Sequence, residues 1–118
     1  MKSAVFYGKH DLRVEDSVKP TVGKRDVLIN VKACGVCGTD VRSFYNGDRR
    51  IEAPWVLGHE ISGVVVEVGP RAEEELAAGG IALGAAVHCI STLWCGRCRM
   101  CRGGAENLCL HGELMGFD

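Results

Sequence analysis

Four cysteines fall within fifteen residues near the carboxyl end of the chain: Cys95, Cys98, Cys101 and Cys109, spaced C-x2-C-x2-C-x7-C. Thiolates at that spacing can close a tetrahedron around one Zn²⁺, and a site with four protein ligands is closed and therefore structural. Two other readings compete: four buried small hydrophobes, or two disulfides. The loop is punctuated by Gly96, Gly103 and Gly104 and interleaved with Arg97, Arg99 and Arg102, so it offers little apolar surface to bury thiols. Metal binding is the better account. The arginines would lower the thiol pKa values. They also permit a zinc-ribbon reading in which they touch phosphates, although a ribbon normally uses two separated cysteine pairs.

A sparser set lies upstream: Cys37, with Thr39 and Asp40 close behind it, and the pair His59-Glu60. Three possible metal ligands, Cys37, His59 and Glu60, leave room for something else in the coordination sphere, as an open, catalytic site requires. A lone cysteine after a strand is commonly packing, and a lone His-Glu pair is commonly surface. Gly35 and Gly38 bracket the thiol, so the backbone can turn sharply and present sulfur to a cleft. Gly58 precedes the imidazole at the entrance to a strand.

The elements that must carry these groups read as a β-rich domain with many tight turns. Sixteen glycines and clusters of β-branched residues support that reading. Residues 3–7 and 12–16 predict two strands around a Gly8-Lys9-His10-Asp11 turn. Residues 27–33 alternate, with Val27, Ile29, Val31 and Ala33 on one face. Residues 39–45 predict a short helix starting at Gly38 or Thr39. Residues 61–68 form a strongly β-prone run, and residues 87–90 predict a strand leading into the cysteine loop. Residues 72–78 can form a helical turn or two but read better as a solvated loop, since Leu76 is their only large apolar residue.

Composition bounds the function. The chain has 118 residues, enough for one domain with its own core, and 47% of them are hydrophobic. Fourteen basic against fifteen acidic residues give a formal charge of −1, which offers no electrostatic footprint for nucleic acid. No apolar run approaches the roughly 18 residues needed to span a bilayer, and the start reads as a strand, not as a signal peptide. Seven cysteines without a secretion signal point to metal binding in a reducing, cytoplasmic setting. Leu114 to Asp118 stops in mid-pattern, which reads as a truncated chain.

Taken in order, C-G-T-D at 37–40, G-H-E at 58–60, G-V-V-V-E-V-G at 63–69 and C-G-x-C-x-x-C-x-x-G-x-x-N-L-C at 95–109 form a pattern along the whole chain. It resembles the amino-terminal, GroES-like catalytic domain of zinc-dependent medium-chain alcohol dehydrogenases, with the sorbitol and threonine dehydrogenase branch most similar. The resemblance implies a mainly β fold with short helices, a partly open GroES-like β-barrel bearing a structural-zinc lobe, over residues 1–118.

It also implies roles. Cys37 and His59 would be catalytic zinc ligands. Glu60 would be a direct or exchangeable ligand, or a carboxylate behind the ligands. Thr39 would hydrogen-bond the substrate hydroxyl and pass its proton on, and Asp40 would hold the second nitrogen of His59. Cys95, Cys98, Cys101 and Cys109 would hold structural zinc. The parent protein would oxidise a small secondary alcohol with NAD or NADP and would be a homo-oligomer. Such an oxidation needs the hydroxyl proton removed before hydride leaves carbon, and a zinc with an open position lowers the pKa of bound oxygen.

Three departures stand out. Arg42 stands where these enzymes often carry a relay histidine, and it cannot deprotonate near neutral pH; a contact to cofactor phosphate is the alternative. Gly84-Ala85-Ala86-Val87 replaces the usual G-D-R-V. No G-x-G-x-x-G nucleotide motif is present, so the nucleotide-binding half is expected elsewhere. A non-catalytic zinc-binding interaction module, or a degenerate domain keeping only structural zinc, remains as the alternative reading.

Overall fold

The computed structural model describes residues 1–115; Gly116 to Asp118, the tail of the segment that stops in mid-pattern, lie outside the described residues. Among the described residues the strands form three sheets. The first has the order β2-β1-β4, from β1 (Lys2–Gly8), β2 (Asp11–Asp16) and β4 (Trp55–Val56). The second has the order β3-β5-β6, from β3 (Val27–Gly35), β5 (Glu60–Val68) and β6 (Ala86–His88). The third pairs β7 (Thr92–Leu93) with β8 (Glu113–Leu114). All pairings are antiparallel. The helices are short: α1 (Gly38–Asn46), α2 (Ala72–Ala78), α3 (Arg99–Arg102) and a 3-10 turn at Glu106–Leu108. The domain is thus mainly β with short helices, and its sheets are not closed into a complete barrel.

The expected strands and α1 are present, each longer by a residue or two or shifted slightly. The strict alternation of β3 is interrupted, because its register against β5 shifts between Leu28 and Ile29 and again between Val31 and Ala33. The first shift carries its extra residue, Val66, on β5 and the second carries Lys32 on β3; the bulge at Lys32 disturbs the alternation of β3, whose residues from Asn30 onward are exposed. Val65, in the middle of the central strand β5, is only 1% exposed. On the first sheet Phe6 packs with Ile51, and Leu57 and Leu114 close over them.

Residues 72–78 are helical, not the loop the sequence suggested. Alanine and glutamate are good helix formers. Glu73, Glu74 and Glu75 occupy the first turn, where negative charge meets the positive end of the helix dipole. Ala72 is buried, and the N–H groups of Gly79 and Ile81 close the last carbonyls. Small residues therefore seat this helix without a large apolar face.

A hollow of about 920 Å³ opens between the two larger sheets and α1, with Leu28, Val31, Val41, Phe44, Val56 and Ile61 on its wall. Cys34, a thiol near the end of a strand that the residue type alone reads most simply as buried, lines it and is exposed instead. It sits near the end of β3, a strand paired only on its β5 side.

Candidate metal centres

The first centre is built by the start of α1 and the start of β5. Cys37 is the residue that caps α1: its backbone is extended (φ −100°, ψ 174°) and its Sγ accepts a hydrogen bond from the Thr39 N–H at 3.2 Å. Asp40 reaches back, and its Oδ2 accepts from the Cys37 N–H at 2.9 Å. This reciprocal pair satisfies two of the amides a helix leaves open at its start. Below it, Ser43 is fully buried and donates to the Thr39 carbonyl at 2.9 Å. The helix start, and the sulfur with it, is thereby fixed.

His59 is delivered by Gly58, whose φ of +109° only glycine adopts readily. A β-carbon there would also stand 2.7 Å from Cys34 Sγ. The imidazole is 5% exposed, with Nε2 at 3.1 Å from Cys37 Sγ and Nδ1 at 3.7 Å from Asp40 Oδ1. Asp40 Oδ1 is buried and has no hydrogen-bond partner. Ligand atoms of Cys37, Asp40 and His59 all lie within 4.8 Å of one another.

Glu60 is not in that group. Its side chain is exposed and folds over Gly35, where a β-carbon would collide with Glu60 Oε2. Thr39 is half-buried beside the sulfur. Arg42 turns toward Asp48, with Nη2 at 3.5 Å from Oδ2. Arg50 grips the same Asp48 carboxylate through Nε at 3.0 Å and Nη2 at 2.7 Å. These bonds hold Asp48 well below the usual carboxylate range, with the Arg50 side-chain bond the largest cause.

The second centre gathers Cys95, Cys98, Cys101 and Cys109, again with sulfurs within 4.8 Å of one another. Cys98 caps α3, and its Sγ lies 3.5 Å from Cys101 Sγ. A zinc tetrahedron with Zn–S near 2.3 Å separates its sulfurs by about 3.8 Å. All four thiols are free, so the two-disulfide reading does not hold. Backbone donors are already aimed at the sulfurs: Cys95 N–H and His111 N–H at Cys109, and Cys101 N–H at Cys98. Backbone donors hold the Cys98 thiol down to about 6, the Cys101 N–H contributing most and the Leu110 N–H next. Burial, then the neighbouring Cys98, pushes Cys101 up to about 12. Cys95 is lowered chiefly by the Arg97 backbone N–H. Backbone amides thus do what the sequence suggested the arginine charges would do. Four thiols this close cannot all ionise without a cation among them.

The donor chemistry of both clusters fits zinc. At the first, tetrahedral Zn–S and Zn–N bonds of about 2.3 and 2.05 Å would set sulfur and nitrogen about 3.5 Å apart. The observed 3.1 Å requires an opening of a few tenths of an ångström. The unpartnered Asp40 oxygen facing His59 Nδ1 suits an imidazole whose other nitrogen is committed to a metal.

The family model for the alcohol dehydrogenase GroES-like domain matches residues 23–117. The chain belongs to that family. Over 123 residues this GroES-like domain is 42% identical to L-threonine 3-dehydrogenase of Pseudoalteromonas atlantica, covering all of this chain and 34% of that protein. The crystal structure of galactitol-1-phosphate dehydrogenase from Escherichia coli superposes with a TM-score of 0.84 at 31% identity, over 99% of this chain and 32% of that one. A crystal structure of an NAD-dependent alcohol dehydrogenase gives 0.82 at 32% identity, over 99% and 34% of the two chains. The GroES-like domain spans about a third of the length of the curated relatives it matches.

The structure therefore brings together Cys37, Asp40 and His59, sets Thr39 beside them, and gathers the four lobe cysteines. It leaves Glu60 to one side. What the sequence did not show was that Cys37 itself is the helix cap. Cysteine is outside the usual set of capping residues, and the available signal was Asp40 three positions on, where a capping box places its acid. Phe44 and Tyr45 line the hollow, as does Asp40, while His10, His88 and His111 are exposed. Among the described residues, no helix is long and apolar enough to cross a membrane.

Proposed function

We propose that residues 1–118 form the metal-holding catalytic domain of a longer NAD(P)-dependent dehydrogenase that oxidises a small secondary alcohol, of the polyol or hydroxy amino acid class, to a ketone. The observation that carries this reading is the 3.1 Å approach of Cys37 Sγ and His59 Nε2, with Asp40 behind the imidazole, in a site separate from the four-cysteine lobe. A non-catalytic zinc module would need the lobe alone. The names of the relatives support the substrate class and a nicotinamide cofactor, and seven free cysteines suit the reducing cytoplasm.

In this reading Cys37 and His59 hold the catalytic zinc, with a further ligand from Glu60 or from another part of the protein. A zinc ion there supplies Lewis-acid polarisation of the substrate hydroxyl, which makes its proton acidic. Asp40 Oδ1 faces the imidazole Nδ1 at 3.7 Å and would close onto it once Nε2 is committed to a metal, and Oδ2 holds the Cys37 amide. The Thr39 N–H stabilises negative charge on the Cys37 sulfur. The Thr39 hydroxyl, which both donates and accepts, takes up the substrate proton and passes it outward. Arg42 offers donors and no acceptor and is engaged with Asp48, so the proton leaves through water and not through Arg42.

The test is the full-length protein, assayed for NAD⁺ and NADP⁺ reduction across polyols and hydroxy amino acids, beside its Cys37→Ala variant. Turnover that vanishes in the variant while the fold persists supports the proposal. Turnover retained by Cys37→Ala, or no reduction with any secondary alcohol, overturns it.

A further inference from the structure

His10, in the β1–β2 turn, is the single non-glycine residue among the described residues with a left-handed backbone (φ 62°). Such a conformation is uncommon for a residue with a β-carbon. It turns the His10 N–H away from its own hairpin to donate to the Phe44 carbonyl of α1 at 2.8 Å. Phe44 lies in the last turn of that helix, where carbonyls have no partner within the helix. The His10 ring adds a second hold on the same helix end. It meets Phe44 and Tyr45 edge-on, each at 5.5 Å between centroids, and those two rings meet each other edge-on at 5.2 Å.

This backbone bond ties the carboxyl end of α1 to the β1–β2 hairpin. At its opposite end the helix is tied to β5 through the Cys37–His59 contact. The helix therefore bridges the two larger sheets, held by His10 to one and by the candidate metal site to the other. Its nine residues make a lever of about 13 Å. A tilt of about 5° around the His10 end would displace Cys37 Sγ by about 1 Å, whereas metal–ligand distances tolerate about 0.2 Å.

We infer that His10 is a positioning residue for the Cys37–His59 metal site: by fixing the far end of α1 it sets the angle at which Cys37 Sγ and Asp40 Oδ1 meet His59. This rests on the proposed catalytic metal, and the test separates the two. The full-length protein is loaded with Co²⁺, and each centre is followed by visible absorption during titration against a chelator. The variants are His10→Gly, which keeps the left-handed backbone and its N–H but removes the ring, Phe44→Leu, and the two combined. His10→Gly is expected to weaken Co²⁺ at the Cys37–His59 centre about tenfold, the lower end of what loss of a supporting group around a metal site costs. Its d–d bands should shift as the ligand angle relaxes, while the four-cysteine lobe keeps its affinity and spectrum. The double variant should be no worse than the worse single one.

Equal losses at both centres would show a general destabilisation and overturn the inference. So would an unchanged Cys37–His59 spectrum and affinity in both single variants of a wild type that binds two metals. A wild type that binds metal only in the four-cysteine lobe would overturn the functional reading, and this inference with it.

Discussion

Asp40 carries two loads on two oxygens, and they can be separated by substitution. Its Oδ2 accepts the Cys37 N–H at 2.9 Å and so completes the cap of α1. Its Oδ1 faces His59 Nδ1 at 3.7 Å from a buried position. In Asp40→Asn an amide oxygen can still accept from Cys37, but the negative charge beside the imidazole is gone. In Asp40→Ala both are lost, and the part-buried Cys37 N–H has no acceptor. Losing a cap costs about 1 kcal/mol, so metal-free Asp40→Ala should unfold at lower urea by that amount and Asp40→Asn by less than half of it. Metal affinity at the Cys37–His59 centre should fall in both variants, about ten- to a hundred-fold. Urea denaturation of the apo protein and a competitive chelator titration read the two effects independently. Equal destabilisation by Asn and Ala would refute the division of labour between the oxygens. Unchanged metal affinity in Asp40→Asn would refute the role of the charge.

Three further outcomes are expected. Gly58→Ala forces a β-carbon into a positive-φ position and against Cys34 Sγ, and should cost about 1–3 kcal/mol in urea denaturation; an unchanged midpoint would contradict the packing described at Gly58. Val65→Ala empties the best-buried position of β5 and should cost about 2 kcal/mol, read the same way, with a loss under a few tenths counting against a packed second sheet. Asp48→Asn should cost about 1–2 kcal/mol at neutral pH, because its carboxylate bonds to Arg50 are charge-assisted but the arginines are half exposed. The folded pKa of Asp48 lies below its unfolded value near 3.9. Its contribution is therefore fully present above about pH 4 and drains as the pH falls toward the folded pKa. The gap between wild type and Asp48→Asn should narrow below pH 4, and a gap that stays constant down to pH 2 would contradict the assignment.

Much of this architecture is legible in the residues. Short apolar and β-branched runs mark β1, β3 and β5, and the spacing of Cys95, Cys98, Cys101 and Cys109 marks the lobe. The helix over Ala72–Ala78 was not legible, because a small buried Ala72 seats it and no apolar stripe advertises it. The two-residue strands β4, β7 and β8 are too short to carry a periodic signal. Cys34 reads as a core thiol only if β3 is covered on both sides, and β3 is an edge strand. At the first centre, Cys37 and His59 were legible through the glycines around them. The tie from His10 to the far end of α1 was not, since residues 34 positions apart in sequence meet only through the tertiary fold.

On the proposed function, one small domain holds two separate metal centres, an open one at Cys37 and His59 and a closed one at the four cysteines. Zinc per chain tests it most directly, by elemental analysis of the full-length protein and its Cys37→Ser and Cys95→Ser variants. Close to two zincs are expected in the wild type and close to one in each variant. One zinc in the wild type, lost with Cys95→Ser and untouched by Cys37→Ser, would contradict it.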